Sequence, residues 1–267
     1  MPQVTALYRY PVKGFTPESC TSLTIQPDGR VAGDRTLTFR FANALEPEID
    51  EECGLPYWPK RGGLALVSFP SLARLQVRLH GERLRIADGN HVVAEAGLDA
   101  AGRELLCERV TEWLRANGEA RRLERPGRLP LHLLGDAGAS RFQDRALGFI
   151  SLHGQASTEA LEAELPGAGD VRRFRSNIVV GGTRAWEELD WRGPVRIGHV
   201  ECVAVRPIGR CLATHANPET GTRDLEVMSA LVERFGQPEP LMGVLLLPVD
   251  GGGEIRLGDE VSLLPPS

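Results

Sequence analysis

The sequence predicts a mainly β, α+β fold built from two barrel-like units with a few peripheral helices. Three observations carry that expectation. Most segments alternate apolar and polar residues with period two, tight turns separate them, and only three stretches show helical spacing. The chain has 267 residues, enough for two modest domains.

Taken in order, Met1-Pro2-Gln3-Val4 leads directly into an alternating pattern, with no basic segment followed by an apolar one, so no targeting signal is expected. After the turn Pro27-Asp28-Gly29, Leu37, Phe39 and Phe41 interleave with Thr36, Thr38 and Arg40. Leu75, Val77 and Leu79 alternate with Gln76, Arg78 and His80, and His80-Gly81-Glu82 turns the chain. Leu84 and Ile86 follow on a further strand that ends in the turn Asp88-Gly89-Asn90. A helix is expected over 103–116, with Leu106, Val110, Trp113 and Leu114 on one face and Asn117-Gly118 as its stop. The stretch 119–130 is rich in charge, glycine and proline and is expected to be a linker. It separates a first unit over 1–118 from a second over 131–267.

In the second unit a helix is expected over 158–165, capped by Ser157 and ended by Pro166-Gly167. The run 200–205 reads as a strand. Asp224 is expected to cap a helix over 225–235, with Leu225, Met228, Leu231, Val232 and Phe235 as its core stripe. The chain closes with strands over 244–249, 255–257 and 261–264, the first two joined by a turn at Asp250-Gly251-Gly252-Gly253. The longest apolar run, near 242–247, is far too short to span a bilayer. No membrane association is expected, and a cytoplasmic location follows.

Hydrophobic residues make up 42% and charged residues 25%, ordinary values for a globular protein. The net charge of −5 argues against nucleic-acid binding through bulk charge, while leaving room for a local basic pocket. The five cysteines, Cys20, Cys53, Cys107, Cys202 and Cys211, are irregularly spaced, with no C-x-x-C pair. A disulfide scaffold, a zinc ribbon and a ferredoxin cluster are therefore not expected, and a reducing compartment is.

Cys211 is the residue the chain points to. It lies in Pro207-Ile208-Gly209-Arg210-Cys211-Leu212-Ala213-Thr214-His215, directly after the strand over 200–205. Arg210 beside it and His215 four positions on favour a thiolate. Pro207 and Gly209 suggest a turn that lifts the sulfur out of the sheet. From local sequence alone, a small buried thiol is the favoured reading. In Arg173-Phe174-Arg175-Ser176-Asn177, alternation would set Arg173, Arg175 and Asn177 on one face of a strand, either as ligand donors or as a charged edge.

Further segments stand in register with these: Tyr10-Pro11-Val12-Lys13-Gly14, Gly33-Asp34-Arg35, and Asn217-Pro218-Glu219-Thr220-Gly221. In this order the segments resemble the MOSC family, named for the C-terminal domain of molybdenum cofactor sulfurase, together with its N-terminal β-barrel companion domain. The pattern is most similar to amidoxime-reducing and hydroxylaminopurine-resistance proteins and spans about residues 8–264. The resemblance implies two closely packed barrel-like domains sharing a molybdenum cofactor site. Cys211 would be the catalytic cysteine and the protein ligand to molybdenum, a metal that accepts soft sulfur donors. Lys13, Arg35, Arg175, Asn177 and Arg210 would hold the pterin and its phosphate, for which arginine's planar fork is well suited.

The chain also departs from the pattern. Gly14 stands where serine is common, leaving its backbone N–H as the available contact. His153 and Gly154 stand where hydroxyl residues precede a helix, a position suited to anions. His153 reads either as a proton donor or as a loop residue. Gly209 replaces serine, Asn217 replaces an acidic residue, and an aromatic-containing stretch is absent near 241–244. Some relatives carry a fused ferredoxin domain; this sequence ends at Ser267, just after its last strand pattern, so none is expected.

Four functions remain open. A monomeric molybdenum-dependent oxidoreductase would reduce N–O bonds of small N-hydroxylated compounds, with electrons from an external flavin or iron–sulfur protein. A carrier or sulfur relay would use Cys211 without turnover. A zinc module would draw on His199, Cys202, Cys211 and His215, although His199 and Cys202 would face opposite sides of a strand. A relic of the fold could bind another phosphorylated ligand.

Overall fold

The structure is a computed structural model that describes residues 1–138, 140–144, 146, 150–249 and 251–265. Asp250, which the expected last turn includes, lies outside the described residues. The architecture is mainly β with helices at its margins. Its largest element is an eight-stranded mixed sheet drawn from both ends of the chain. From the first part come β1 (Gln3–Arg9) and β2 (Glu18–Cys20), with β3 (Ser22–Ile25) close by. β4 (Leu37–Phe41), β5 (Glu48–Ile49) and β6 (Pro56–Tyr57) come next, then β7 (Leu75–His80), β8 (Arg83–Asp88) and β9 (His91–Gly97). Helices α1 (Ala100–Ala116) and α2 (Ala120–Leu123) lead to β10 (Leu131–Gly135). The second part supplies β11 (Ile150–Gly154), α3 (Gln155–Glu164), β12 (Ile178–Gly181), β13 (Gly193–Ile197) and β14 (Val200–Gly209). It ends with α4 (Val227–Glu233), β15 (Leu241–Pro248), β16 (Gly253–Arg256) and β17 (Val261–Leu263).

The large sheet runs β17-β13-β14-β15-β11-β12-β1-β2. Its one parallel pair, β11 with β12, is joined by α3, because a parallel connection needs a crossover element. Alternation in β11 sets the face. Ile150 and Leu152 enter a core with Val4, Leu7, Ile178, Val180 and Val244. Ser151 and His153 therefore point to the other face. The two ends of the sheet approach each other: Val4 N donates to Asp259 O at 2.9 Å and Val261 N to Pro2 O at 2.9 Å. No closed barrel forms among the described residues, so the barrel-like expectation reduces to this mixed sheet with several small ones.

A second core lies under β4, β7–β9 and α1. Leu75, Val77, Leu79, Leu84 and Ile86 are buried as alternation requires, against Leu106, Val110 and Leu114 of α1. α1 starts three residues before the expected position. Asp99 caps it, its side chain accepting from Gly102 N at 2.8 Å, so Ala100-Ala101-Gly102 form the first turn. Asp99→Ala is expected to cost about 1 kcal/mol of stability, readable as a lower denaturant midpoint. In the stretch expected to be a linker, α2 forms, Leu123 is buried, and buried Glu119 accepts from Ser71 Oγ at 3.0 Å.

The other two helices also differ from expectation. α3 starts at Gln155 after Gly154, so Ser157 lies inside the helix and does not cap it. Its buried hydroxyl donates to Glu188 Oε2 and accepts from Trp186 N, both at 2.8 Å. α4 is shorter than expected and buries Val227, Ala230 and Leu231 against Phe174 and Met242. Asp224 is drawn away from capping by an ion pair with buried Arg173 at 2.9 Å. The expected strand through Arg173, Arg175 and Asn177 is absent. Val171–Arg173 form a 3-10 turn, and Arg175 takes a left-handed φ of 56° before β12 begins at Ile178. No described helix is long and apolar enough to cross a membrane.

Candidate cofactor site

A cavity of about 420 Å³ opens where the loop after β1, the loops around β4, the turn before β12 and the end of β14 converge. Its described walls carry Lys13, Arg35, Lys60, Arg173, Arg175 and Arg210 against a single carboxylate, Asp144. An acidic chain therefore concentrates positive charge in one concavity, a charge pattern suited to anions.

Each cation is fixed by its own support. Lys13 N donates to Leu37 O at 2.8 Å, placing the residue beside β4. Its Nζ pairs with Asp144 Oδ1 at 2.7 Å and donates to Trp58 O. Burial lowers the Lys13 pKa, and Asp144 opposes that shift. Gly14 turns the chain with a φ of 87°, and a Cβ there would lie 2.7 Å from Leu64 O. Arg35 is held by buried Asp34 and donates to Arg175 O at 3.4 Å. Burial is the largest single influence and works against its charge, but Asp34, Tyr10 and Asp144 together outweigh it and raise its pKa. Arg175 donates to Phe15 O, and Arg210 to Phe174 O at 2.7 Å and to Met242 O. Burial pushes Arg175 and Arg210 down to about 10, so both stay charged at neutral pH.

Arg35 and Arg175 also carry backbone strain. They and Trp186 are the non-glycine residues with positive φ among the described ones, at 52°, 56° and 67°. Such conformations cost about 1–3 kcal/mol each and cluster at binding and catalytic sites. Here two of them aim guanidinium groups into one cavity.

Cys211 sits at the end of β14, half-buried in the cavity wall. The cation against its sulfur is Lys60, with Nζ 3.8 Å from Sγ. Arg210 spends its guanidinium on backbone carbonyls. His215 faces α4, accepting from Met228 N at 3.3 Å, and does not line the cavity. Lys60 also pairs with Asp144 at 3.5 Å. Burial opposes ionisation of Asp144, but Lys13 and Lys60 outweigh it and hold the carboxyl below its usual range.

Of the residues singled out in the sequence, Lys13, Gly14, Arg35, Arg175, Arg210 and Cys211 line this cavity. Asn177, His153 and Gly154 do not. Asn177 works behind the wall: it accepts from Ser151 Oγ at 2.8 Å and donates to Tyr8 O at 3.2 Å and Asp34 Oδ1 at 3.3 Å. His153 is wholly buried, its ring centroid 5.9 Å from that of Phe174. Burial pushes its pKa down to about 3, so the ring is neutral. Gly154 is the α3 cap, where a Cβ would crowd Glu188, Thr183 and Ser157. Asn217 organises its own turn, accepting from Glu219 N at 2.7 Å.

Sequence reading missed Lys60 and Asp144. Lys60 had one signal, the following Gly62-Gly63. A Cβ at Gly62 would fall 2.0 Å from Arg40 Nη2, so the glycines press the Lys60 loop onto β4. Asp144 had no comparable signal. Among the described residues no group of three or more His, Cys, Asp or Glu could hold a metal, which leaves the zinc alternative without a ligand set.

Residues 144–262 match the family model of the MOSC domain. This part of the chain is a MOSC domain. The chain is 34% identical over 122 residues to mitochondrial amidoxime reducing component 2 of Rattus norvegicus, a match covering 42% of this chain and 36% of that protein. It is 30% identical over 174 residues to mitochondrial amidoxime-reducing component 1 of Danio rerio, covering 60% and 50% respectively. It is 31% identical over 162 residues to the molybdenum cofactor sulfurase of Drosophila ananassae, covering 58% and 20%. The chain thus spans half or less of the length of these relatives. The MOSC domain includes Asp144, Arg175, Arg210 and Cys211, while Lys13, Gly14, Arg35 and Lys60 reach the cavity from outside it.

Proposed function

We propose that the cavity binds a molybdenum cofactor and that the protein reduces N–O bonds of small N-hydroxylated compounds, drawing electrons from a separate flavin or iron–sulfur protein. One observation carries this reading: a net-acidic chain gathers Lys13, Arg35, Arg175 and Arg210 around a thiol that faces the same space. The residues fit the group. Half-buried arginines at strained positions suit a phosphate and an electron-rich pterin, and Cys211 Sγ is a soft donor at the cavity wall. The relatives named for amidoxime reduction and for molybdenum cofactor sulfuration point the same way.

When bound, the cofactor would supply the two electrons that, with two protons, convert R–NHOH to R–NH2 and water. The chain's own residues do the rest. Arg35 and Arg175 anchor the anionic end, Lys13 closes on it from the loop after β1, and Arg210 orients the turn that presents Cys211. Asn177 keeps Asp34 under Arg35. Lys60 places a positive charge beside the sulfur, and Asp144 holds Lys60 in that position. Leu66, Val67 and Ile208 form an apolar part of the wall that suits the uncharged body of a substrate. A second reading, a cofactor carrier or sulfur relay, uses the same cysteine and accords with the relative named a sulfurase.

Metal analysis of protein made in a host that synthesises the pterin tests both readings. About one molybdenum per chain is expected, falling to background in Cys211→Ser with the fold retained. Stoichiometric zinc without molybdenum would overturn them. Turnover of an N-hydroxylated substrate with a competent electron donor then separates the reductase, which consumes it, from the relay, which does not.

A further inference from the structure

Tyr10 has no part in the chemistry proposed above, yet it contacts both strained arginines. It follows β1 directly and is wholly buried. Its N–H donates to Asp34 Oδ1 at 2.7 Å, and its hydroxyl donates to Ser176 O at 3.3 Å. The Arg175 guanidinium carbon lies 4.4 Å from the ring centroid and that of Arg35 lies 4.7 Å from it. Negative partners for this pair are few. Asp34 serves Arg35. Asp144 is taken by Lys13 and Lys60. Arg175 has no ion-pair partner among the described residues and donates to the Phe15 carbonyl. Two like charges held against one buried ring repel unless something negative lies between or beside them. The face of an aromatic ring is negative, and its attraction for a cation is largest where water is excluded.

We infer that Tyr10 is a positioning residue that uses its ring to hold Arg35 and Arg175 as a preformed pair for a dianionic oxyanion of the phosphate class. The ring offsets the repulsion without adding a carboxylate that would compete with the ligand. Because the tyrosine backbone is tied to Asp34 through its N–H, its ring is held under the two guanidinium groups. The inference rests on the anion-binding half of the proposed function and is independent of the metal.

The test is calorimetric titration of the cofactor-free protein with inorganic phosphate. The unsubstituted protein is expected to bind phosphate saturably. Tyr10→Phe keeps the ring and is expected to bind within about threefold of it. Pentafluorophenylalanine at position 10 keeps the ring's shape but reverses the charge of its face. It is expected to weaken binding by at least about tenfold, equivalent to about 1.4 kcal/mol, with the circular dichroism unchanged. Equal phosphate affinity in the two variants overturns the inference, as does a failure of the unsubstituted protein to bind phosphate. Absence of molybdenum in the metal analysis would sink the cofactor reading and leave this comparison standing, so the two failures are distinguishable.

Discussion

Asp34→Ala is expected to lower the unfolding free energy by about 3–5 kcal/mol, the range found when one partner of a buried ion pair is removed. Asp34 is only 2% exposed. It accepts from Tyr10 N at 2.7 Å and Asn177 Nδ2 at 3.3 Å, and its other oxygen pairs with Arg35. Alanine would strand three donors, one of them charged, beside a second uncompensated guanidinium. Asp34→Asn keeps the shape and one acceptor but removes the negative charge, so it is expected to fall between the two. Denaturant titration with an unchanged slope would report this directly. A loss below about 1 kcal/mol would place the Asp34–Arg35 pair among solvent-exposed ion pairs and contradict its burial.

Gly14→Ser is the second large effect, expected at about 2–5 kcal/mol of destabilisation from left-handed backbone strain and overpacking together. Serine is common in the family pattern at this place, so the substitution looks harmless from sequence. In this fold it is not, because the φ is 87° and the new Cβ would lie 2.7 Å from the Leu64 carbonyl oxygen, a backbone atom that cannot swing aside. Gly209→Ser provides the contrast. A Cβ there meets nothing within 4 Å, so thermal unfolding is expected to change little. If both variants melt alike, the close approach of the Gly14 loop to the 64–65 backbone is wrong.

That contrast shows where sequence reading succeeds and where it stops. Period-two alternation made the strands legible because burial on one face leaves a mark at every second residue, as in β7 and β8. The cavity cations near the quoted motifs were legible because those motifs are local. Arg175 lines the cavity from a left-handed turn and not from the strand that alternation suggests, because a left-handed conformation leaves no trace in an alternation pattern. His153 and Gly154 precede a helix, but the face that His153 takes from β11 carries it beneath Phe174. Its distance from the cavity wall depends on sheet register, which no local signal encodes. The cation beside Cys211 was sought in neighbours along the chain, Arg210 and His215. It comes instead from Lys60, 151 positions away in sequence. Helix starts failed for a simpler reason: Ala100-Ala101-Gly102 is weakly patterned, and only the Asp99 side chain reveals the turn.

The charged walls of the cavity come from positions as far apart as Lys13 and Arg210, with β1 already woven into the sheet formed by the last part of the chain. The segment 144–262 carries Asp144, Arg175, Arg210 and Cys211, and the rest of the charged wall, Lys13, Arg35 and Lys60, comes from the first part of the chain. An occupant would act as a clasp between the beginning and the end of the polypeptide, adding about 2.7 kcal/mol to cohesion at a hundredfold excess over its dissociation constant. Cells short of that occupant would then hold a looser molecule, more open to degradation, so that abundance itself would track supply of the ligand.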